Sequence, residues 1–314
     1  MQKKILLGLL RWKNYLSIDT NNRNKINLFN SDSQILVESG YREAFSLAKF
    51  HYENFPVVSF LIPAKYRNDI GIIYWFARTA DDYADEGKTQ PEIRLEKLQE
   101  FEDNLHSLLN NHPTTNFEAA LRNTIVTRRI NPEYFFNLLK AFKQDVIKTR
   151  YKDFSEVMDY CSNSANPVGR ILLELFDIRD DKALYYSDRI CTALQLTNFI
   201  QDTKIDFGKG RIYYPITEME KFGVNEKMFE MNEISDNLKK LIEFSVNRTQ
   251  SMFDEGKSFL EFLSGRFKYE ITWTIKGGEE ILNKIRGADF DVFTERPVLT
   301  KTDYLKLLFK SFIY

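Results

Sequence analysis

The sequence predicts an all-α protein built as one helical bundle. Three observations predict it: apolar residues recur at helical spacing almost throughout from Ile35 onward, no stretch of useful length alternates as a strand would, and no repeat of fixed period is present. At 314 residues the chain is long enough to enclose one large helical core.

An arm precedes the bundle. Residues 1–34 combine a short apolar stretch (5–10, behind Lys3 and Lys4) with a polar, Asn-rich linker over 19–33. The apolar stretch is too short to span a bilayer and lacks a small-residue cleavage site, so neither a transmembrane helix nor a signal peptide is expected. Followed by Arg11, Trp12 and Lys13, it suits an amphipathic arm on a membrane surface or a helix packed on the body. The helical domain runs over 35–314. Its first helix covers 38–52 and is ended or kinked by Pro56. The next covers 69–85, with Ile70, Ile73, Tyr74 and Ala77 on one face. Residues 91–109 alternate charged positions with Leu95, Leu98, Phe101, Leu105 and Leu108. Pro132 stands in the first turn of another helix. A helical stretch over 154–176 is broken at Asn166-Pro167, and 181–206 reads as one long helix leading into a glycine-bearing loop over 207–214. Helices over 238–263 and 267–285 complete the bundle.

Composition narrows the function. Aromatic residues make up 14% of the chain, with 26 Phe, which suits either a Phe-rich core or an unusually large apolar interior. A net charge of −1 provides no field to recruit nucleic acid, so no nucleic-acid partner is expected. His51, His106 and His112 show no metal-ligand spacing, and Cys161 and Cys191 are isolated, which suits small buried residues in a cytoplasmic protein. Any metal must then be held by oxygen, which points to magnesium.

Two acidic constellations carry the chemistry. In Arg78-Thr-Ala-Asp81-Asp82-Tyr-Ala-Asp85-Glu86, helical spacing puts Asp81 and Asp85 on one face. Like charges so placed repel each other and favour a cation between them. Asn198-Phe-Ile-Gln201-Asp202-Thr-Lys-Ile-Asp206 repeats the arrangement, with Asn198 one turn before Asp202. The loop Gly208-Lys-Gly-Arg211-Ile-Tyr213-Tyr-Pro215 follows, and its glycines allow a tight turn that brings Lys209 and Arg211 to phosphate oxygens. One such acidic pair is usually a solvated helix face. Two pairs on otherwise apolar segments, each with an arginine near, suit magnesium ions bridging carboxylates to a diphosphate that departs to leave a carbocation.

The block Tyr74-Trp-Phe-Ala-Arg78-Thr-Ala-Asp81-Asp82-Tyr-Ala-Asp85 and the second constellation through Pro215 resemble the squalene and phytoene synthase family, over roughly residues 38–300. Tyr160-Cys161, Ala165 and Val168-Gly169 fit the family's mid-chain helix. The resemblance implies an isoprenoid-synthase helical fold around a central apolar cavity. It implies Asp81, Asp85, Asp202 and Asp206 as catalytic metal ligands, with Asn198 close to the metal, and about three magnesium ions with bound diphosphate. Arg78 and Arg211 would meet the diphosphate, and Tyr74, His51, Asn54, Gln201, Lys209, Tyr213 and Asn166 would line the substrate. For His51 and Tyr213 alone, simple packing is the commoner role of such residues.

Departures from the family pattern select a branch. Condensing members usually carry a His-Ser-x-Ser-Phe element whose serines meet diphosphate, where this chain has His51-Tyr52-Glu53-Asn54-Phe55-Pro56. Glu53-Asn-Phe-Pro-Val57 and Ser164-Ala-Asn-Pro-Val-Gly169 resemble instead the hydroxysqualene synthase branch, which converts presqualene diphosphate and water to hydroxysqualene and diphosphate. Gly277-Gly278, where condensing members often place a tyrosine, would leave room for substrate or water. The reaction needs no reductant, so NADPH is not expected. A condensing squalene, dehydrosqualene or phytoene synthase is the nearest alternative. A non-catalytic binding or assembly module is another, disfavoured because all four carboxylates are present. Cytoplasmic location, with peripheral membrane contact through the arm, completes the expectation.

Overall fold

The computed structural model describes residues 31–51, 63–85, 89–230, 234–300 and 302–303. Among them are twelve α-helices, three short 3-10 turns and no strand. The side chain of His51, and Asn54 entirely, lie outside the described residues, as does most of the arm.

Local chemistry starts and stops these helices. Helix α1 (Ser31–His51) begins inside the polar stretch, and α2 is Arg67–Asp85. Helix α3 (Pro91–Leu109) opens with proline at its first position, where the missing N–H has no partner to lose. No amphipathic stripe announces α4 (Asn116–Arg128); a capping box starts it, with Thr115 accepting from the Glu118 N–H and Glu118 reaching back. Helix α5 (Glu133–Ile147) follows Pro132, and α6 (Phe154–Ser164) is capped by Asp153. Helix α7 (Asn166–Leu175) resumes after the break at Ala165, with Pro167 in its first turn. Asp180 caps α8 (Asp181–Gln201), which is followed by α9 (Thr203–Gly208) and α10 (Ile216–Lys221). Ser235 caps α11 (Asp236–Gly256), and α12 is Gly265–Gly287.

Helix α8 is central, packing on α6, α7, α11 and α12, while α2 packs on α1, α3, α4 and α5. Helix α5 joins the two groups, touching α2 on one side and α6 and α7 on the other. The abundant Phe residues fill this junction: Phe76 meets Phe135 edge-on at 5.0 Å and stacks on Phe101 at 5.0 Å.

One buried acid lies apart from the paired aspartates. Glu270 of α12 has no hydrogen-bond partner for its Oε2, and burial pushes its carboxyl from 4.5 up to about 8. The folded state therefore keeps a proton that the unfolded chain releases. Its contribution to stability is complete below about pH 4.5 and is lost as pH rises through about 8. Glu270→Gln is expected to raise Tm over the parent protein at about pH 9, by roughly 2–4 °C per kcal/mol, with little difference at about pH 5. Melting curves at both pH values check this; an equal gap at both would show that Glu270 titrates normally.

Candidate active site

Asp81, Asp202 and Asp206 are buried, at 5%, 2% and 5% exposure. Carboxylates at this depth need cations or hydrogen-bond donors around them. Asp85, the last residue of α2, is exposed, and Lys209 Nζ stands 3.7 Å from its Oδ2. That contact brings the glycine-bearing loop after the second acidic pair to the first pair, so the two constellations belong to one site.

The second pair does not sit on one unbroken helix. The chain breaks from helical geometry at Asp202 (φ −102°, ψ 12°), between α8 and α9. The Thr203 hydroxyl, bonded to the carbonyls of Phe199 at 3.1 Å and Ile200 at 2.8 Å, competes there with the helical ladder. The Asp206 N–H still donates to the Asp202 carbonyl at 2.8 Å, so the one-turn separation of the two acids survives the break. Asn198 lies half-buried one turn earlier, and its carbonyl accepts the Asp202 N–H at 2.9 Å.

The loop then closes on a left-handed Gly210 (φ 77°), and the Arg211 N–H returns to the Asp206 carbonyl at 2.9 Å. This turn drives the Arg211 side chain inward, where it donates to the Asp145 carbonyl at 2.8 Å. Burial opposes the Arg211 charge, but neighbouring groups that include Asp145 and Asp85 raise its pKa above the ordinary value. Tyr213 is buried, its ring stacked on Phe199 at 3.8 Å and 6°. Tyr74 is buried one turn before Arg78. Arg78 pairs with Asp82 one turn on, its Nε donating to Oδ2 at 2.8 Å.

Two expected substrate contacts are engaged inside the protein, and one glycine expected to leave room is closely packed. The Asn166 Oδ1 accepts from the Thr192 hydroxyl at 3.0 Å, tying α7 to α8. The Gln201 amide donates to the Pro297 carbonyl, fastening the segment after α12. A Cβ at Gly278 would lie 2.5 Å from Phe253 Cζ and 3.0 Å from Leu194 Cδ2, so this glycine permits close helix approach and does not open room for substrate or water. Gly277 has more space, with Leu299 at 3.6 Å.

Two residues of the site carried no sequence signal of their own. Arg296 donates through Nε to Asp202 Oδ1 at 2.5 Å. Burial lowers its pKa, and Asp206 partly offsets that. Asp145 of α5 accepts at Oδ2 from the Tyr160 hydroxyl at 3.1 Å. Burial raises its pKa to about 6 against the charge of Arg211 and the Tyr160 bond, and Asp81 adds to the rise.

Among the described residues, no three acidic, histidine or cysteine side chains form a group able to hold a metal ion alone. The donor set is hard oxygen in two pairs. It fits magnesium, which takes one or two carboxylates and completes its shell with water and substrate phosphate oxygens.

The family model described as squalene/phytoene synthase matches residues 48–303. The chain is 32% identical over 249 residues to the hydroxysqualene synthase of Zymomonas mobilis subsp. mobilis, covering 78% of each protein. It is 35% identical over 209 residues to that of Rhodopseudomonas palustris, covering 65% of this chain and 69% of the relative. The structure of squalene synthase HpnC from Alicyclobacillus acidocaldarius superposes with a TM-score of 0.77 at 33% identity, covering 82% of this chain and 96% of that one. A dehydrosqualene synthase solved with a ligand shares the fold, with a TM-score of 0.78 at 21% identity over 90% of this chain and 99% of that one.

Proposed function

The chain belongs to the squalene/phytoene synthase family, enzymes acting on prenyl diphosphates, and we propose that it converts presqualene diphosphate and water to hydroxysqualene and diphosphate. The observation that carries this is the burial of Asp81, Asp202 and Asp206 in one site with Arg211, in a chain most similar among these relatives to hydroxysqualene synthases. The segments 53–57 and 164–169 support the same branch.

Asp81 and Asp85 on one side, and Asp202 and Asp206 on the other, would hold magnesium, about three ions with the diphosphate bound. When bound, these ions supply positive charge to the departing diphosphate. Arg211 presents a guanidinium from the loop, Lys209 approaches from its exposed side, and Arg78 and Asn198 flank the two acidic pairs. Tyr74 and Tyr213 line the substrate site, and Gln201 and Asn166 fix its walls; the His51 side chain and Asn54, outside the described residues, are assigned to the substrate by the family resemblance alone. Exclusion of bulk water matters because a carbocation is captured by any water it meets. The carbon–oxygen bond to diphosphate breaks, water forms the new one and releases a proton, and no oxidation level changes, so no NADPH is required.

We assign residues 1–34 as an arm and 35–314 as the helical domain, although α1 already starts at Ser31; the arm would offer a very apolar product a peripheral contact with a membrane. Among the described residues no helix is long and apolar enough to cross one. The test is incubation with magnesium and no nicotinamide, separately with presqualene diphosphate and farnesyl diphosphate, and product identification by mass spectrometry. A triterpene alcohol from presqualene diphosphate is expected. Condensation products from farnesyl diphosphate would move the enzyme to the condensing branch.

A further inference from the structure

Asp145 sits near the end of α5, 6% exposed, with each of its polar atoms in a different situation. Its carbonyl accepts from Arg211 at 2.8 Å and its Oδ2 from the Tyr160 hydroxyl at 3.1 Å. Its Oδ1 is as deeply buried and meets no hydrogen-bond donor. The Tyr213 hydroxyl, which shares this neighbourhood, is in the same condition. Buried polar atoms left so are rare in folded proteins, because each forfeits the hydrogen bonds it made to water. Two in one polar cluster point to a ligand.

The surroundings identify its chemistry. Asp145 lies close enough to Asp81 for the two charges to interact, and Arg211 links it to the loop that follows the second acidic pair. Magnesium sheds its waters reluctantly, and an ion at Asp81 would keep several of them. Metal-bound water is a strong hydrogen-bond donor, and carboxylates behind the ligands commonly accept from it.

We propose that Asp145 is a positioning residue of the metal site: its Oδ1 accepts a hydrogen bond from a water on the magnesium ion at Asp81, while its Oδ2 holds Tyr160 and its carbonyl holds Arg211. This rests on the magnesium assignment made above. One acidic side chain thereby sets the metal's hydration and the placement of an arginine and a tyrosine.

Asp145→Asn keeps the shape and an acceptor for Tyr160 but turns the other oxygen into a donor. Manganese, which takes similar oxygen ligands, is titrated calorimetrically into the full chain with inorganic pyrophosphate. Affinity is expected to fall roughly 10- to 100-fold, with Tm held within a few degrees. Affinity within about twofold of the parent overturns the proposal, as does a fall in Tm with unchanged affinity, the mark of a merely structural role. Asp81→Asn is run alongside. If it binds manganese like the parent, the magnesium assignment has failed; if it alone weakens binding, only the role of Asp145 has failed. Should Asp145→Asn not fold, Asp145→Glu, which keeps the charge but displaces the oxygens, is read by the same criteria.

Discussion

Asp81→Asn and Asp202→Asn are each expected to leave a folded helical protein whose turnover is lower by on the order of 10²–10³-fold or more. The amide is nearly the size of the carboxylate, so the helices have no reason to rearrange. What is lost is charge, at positions only 5% and 2% exposed where no solvent counter-charge can substitute. Asp202→Asn leaves Arg296 without its ionic partner, but that side chain is partly exposed and keeps water. Its penalty should therefore fall below the roughly 3–5 kcal/mol of a fully buried broken pair. Circular dichroism and melting curves establish the fold, and turnover of presqualene diphosphate with magnesium establishes the loss. A rate within about tenfold of the parent in either variant would remove that residue from the metal site.

Gly40→Ala is expected to produce the largest loss of stability from a single methyl group. Gly40 lies where α1 crosses α4, and a Cβ there would stand 2.0 Å from the Asn116 carbonyl oxygen, 2.6 Å from its carbon and 2.9 Å from Ala120 Cβ. A side chain could rotate aside; a backbone carbonyl in a capped helix cannot. The start of α4 is held by the Thr115–Glu118 capping box and by Asn116, which donates to Glu43 at 3.2 Å across the crossing. The helices must separate, at a cost of about 1–3 kcal/mol or more. Each kcal/mol lowers Tm by roughly 2–4 °C. Gly71→Ala is the matched control: its Cβ would meet Phe45 backbone atoms at 3.6 Å, ordinary contact, and alanine favours the helix by up to about 1 kcal/mol. Thermal unfolding of both variants decides the matter, and equal Tm values would mean that α1 and α4 are not held as closely as the structure shows.

The legible parts of this protein were those written in short-range spacing. Helical period marked α2, α3 and α12 to within a few residues, because an amphipathic face repeats every turn and is visible in a window of a dozen residues. The acidic pairs were legible for the same reason, since Asp81 with Asp85 and Asp202 with Asp206 are each one turn apart. The family followed from these motifs and their order along the chain. Helix α4 was not legible, because its apolar residues form no narrow stripe and its start depends on a capping box. Nor was the break at Asp202, which the Thr203 hydroxyl brings about by bonding backward to two carbonyls.

Contacts between distant residues depended on the tertiary structure alone. Arg296 reaches Asp202 across 94 positions and Arg211 reaches the Asp145 carbonyl across 66, separations over which no periodicity carries information. The same holds for Gly278, whose sequence context suggested open space and whose neighbours Phe253 and Leu194 fill it. The hydrogen bonds of Asn166 to Thr192 and of Gln201 to Pro297 were likewise invisible in the sequence. The sequence by itself determined the strongly periodic helices and the acidic motifs spaced along them, because both depend on neighbours within a turn or two. Only the fold decided which polar side chains are already bonded inside the protein and which buried ones, such as Asp145, still have an oxygen to offer, because that depends on how the helices pack.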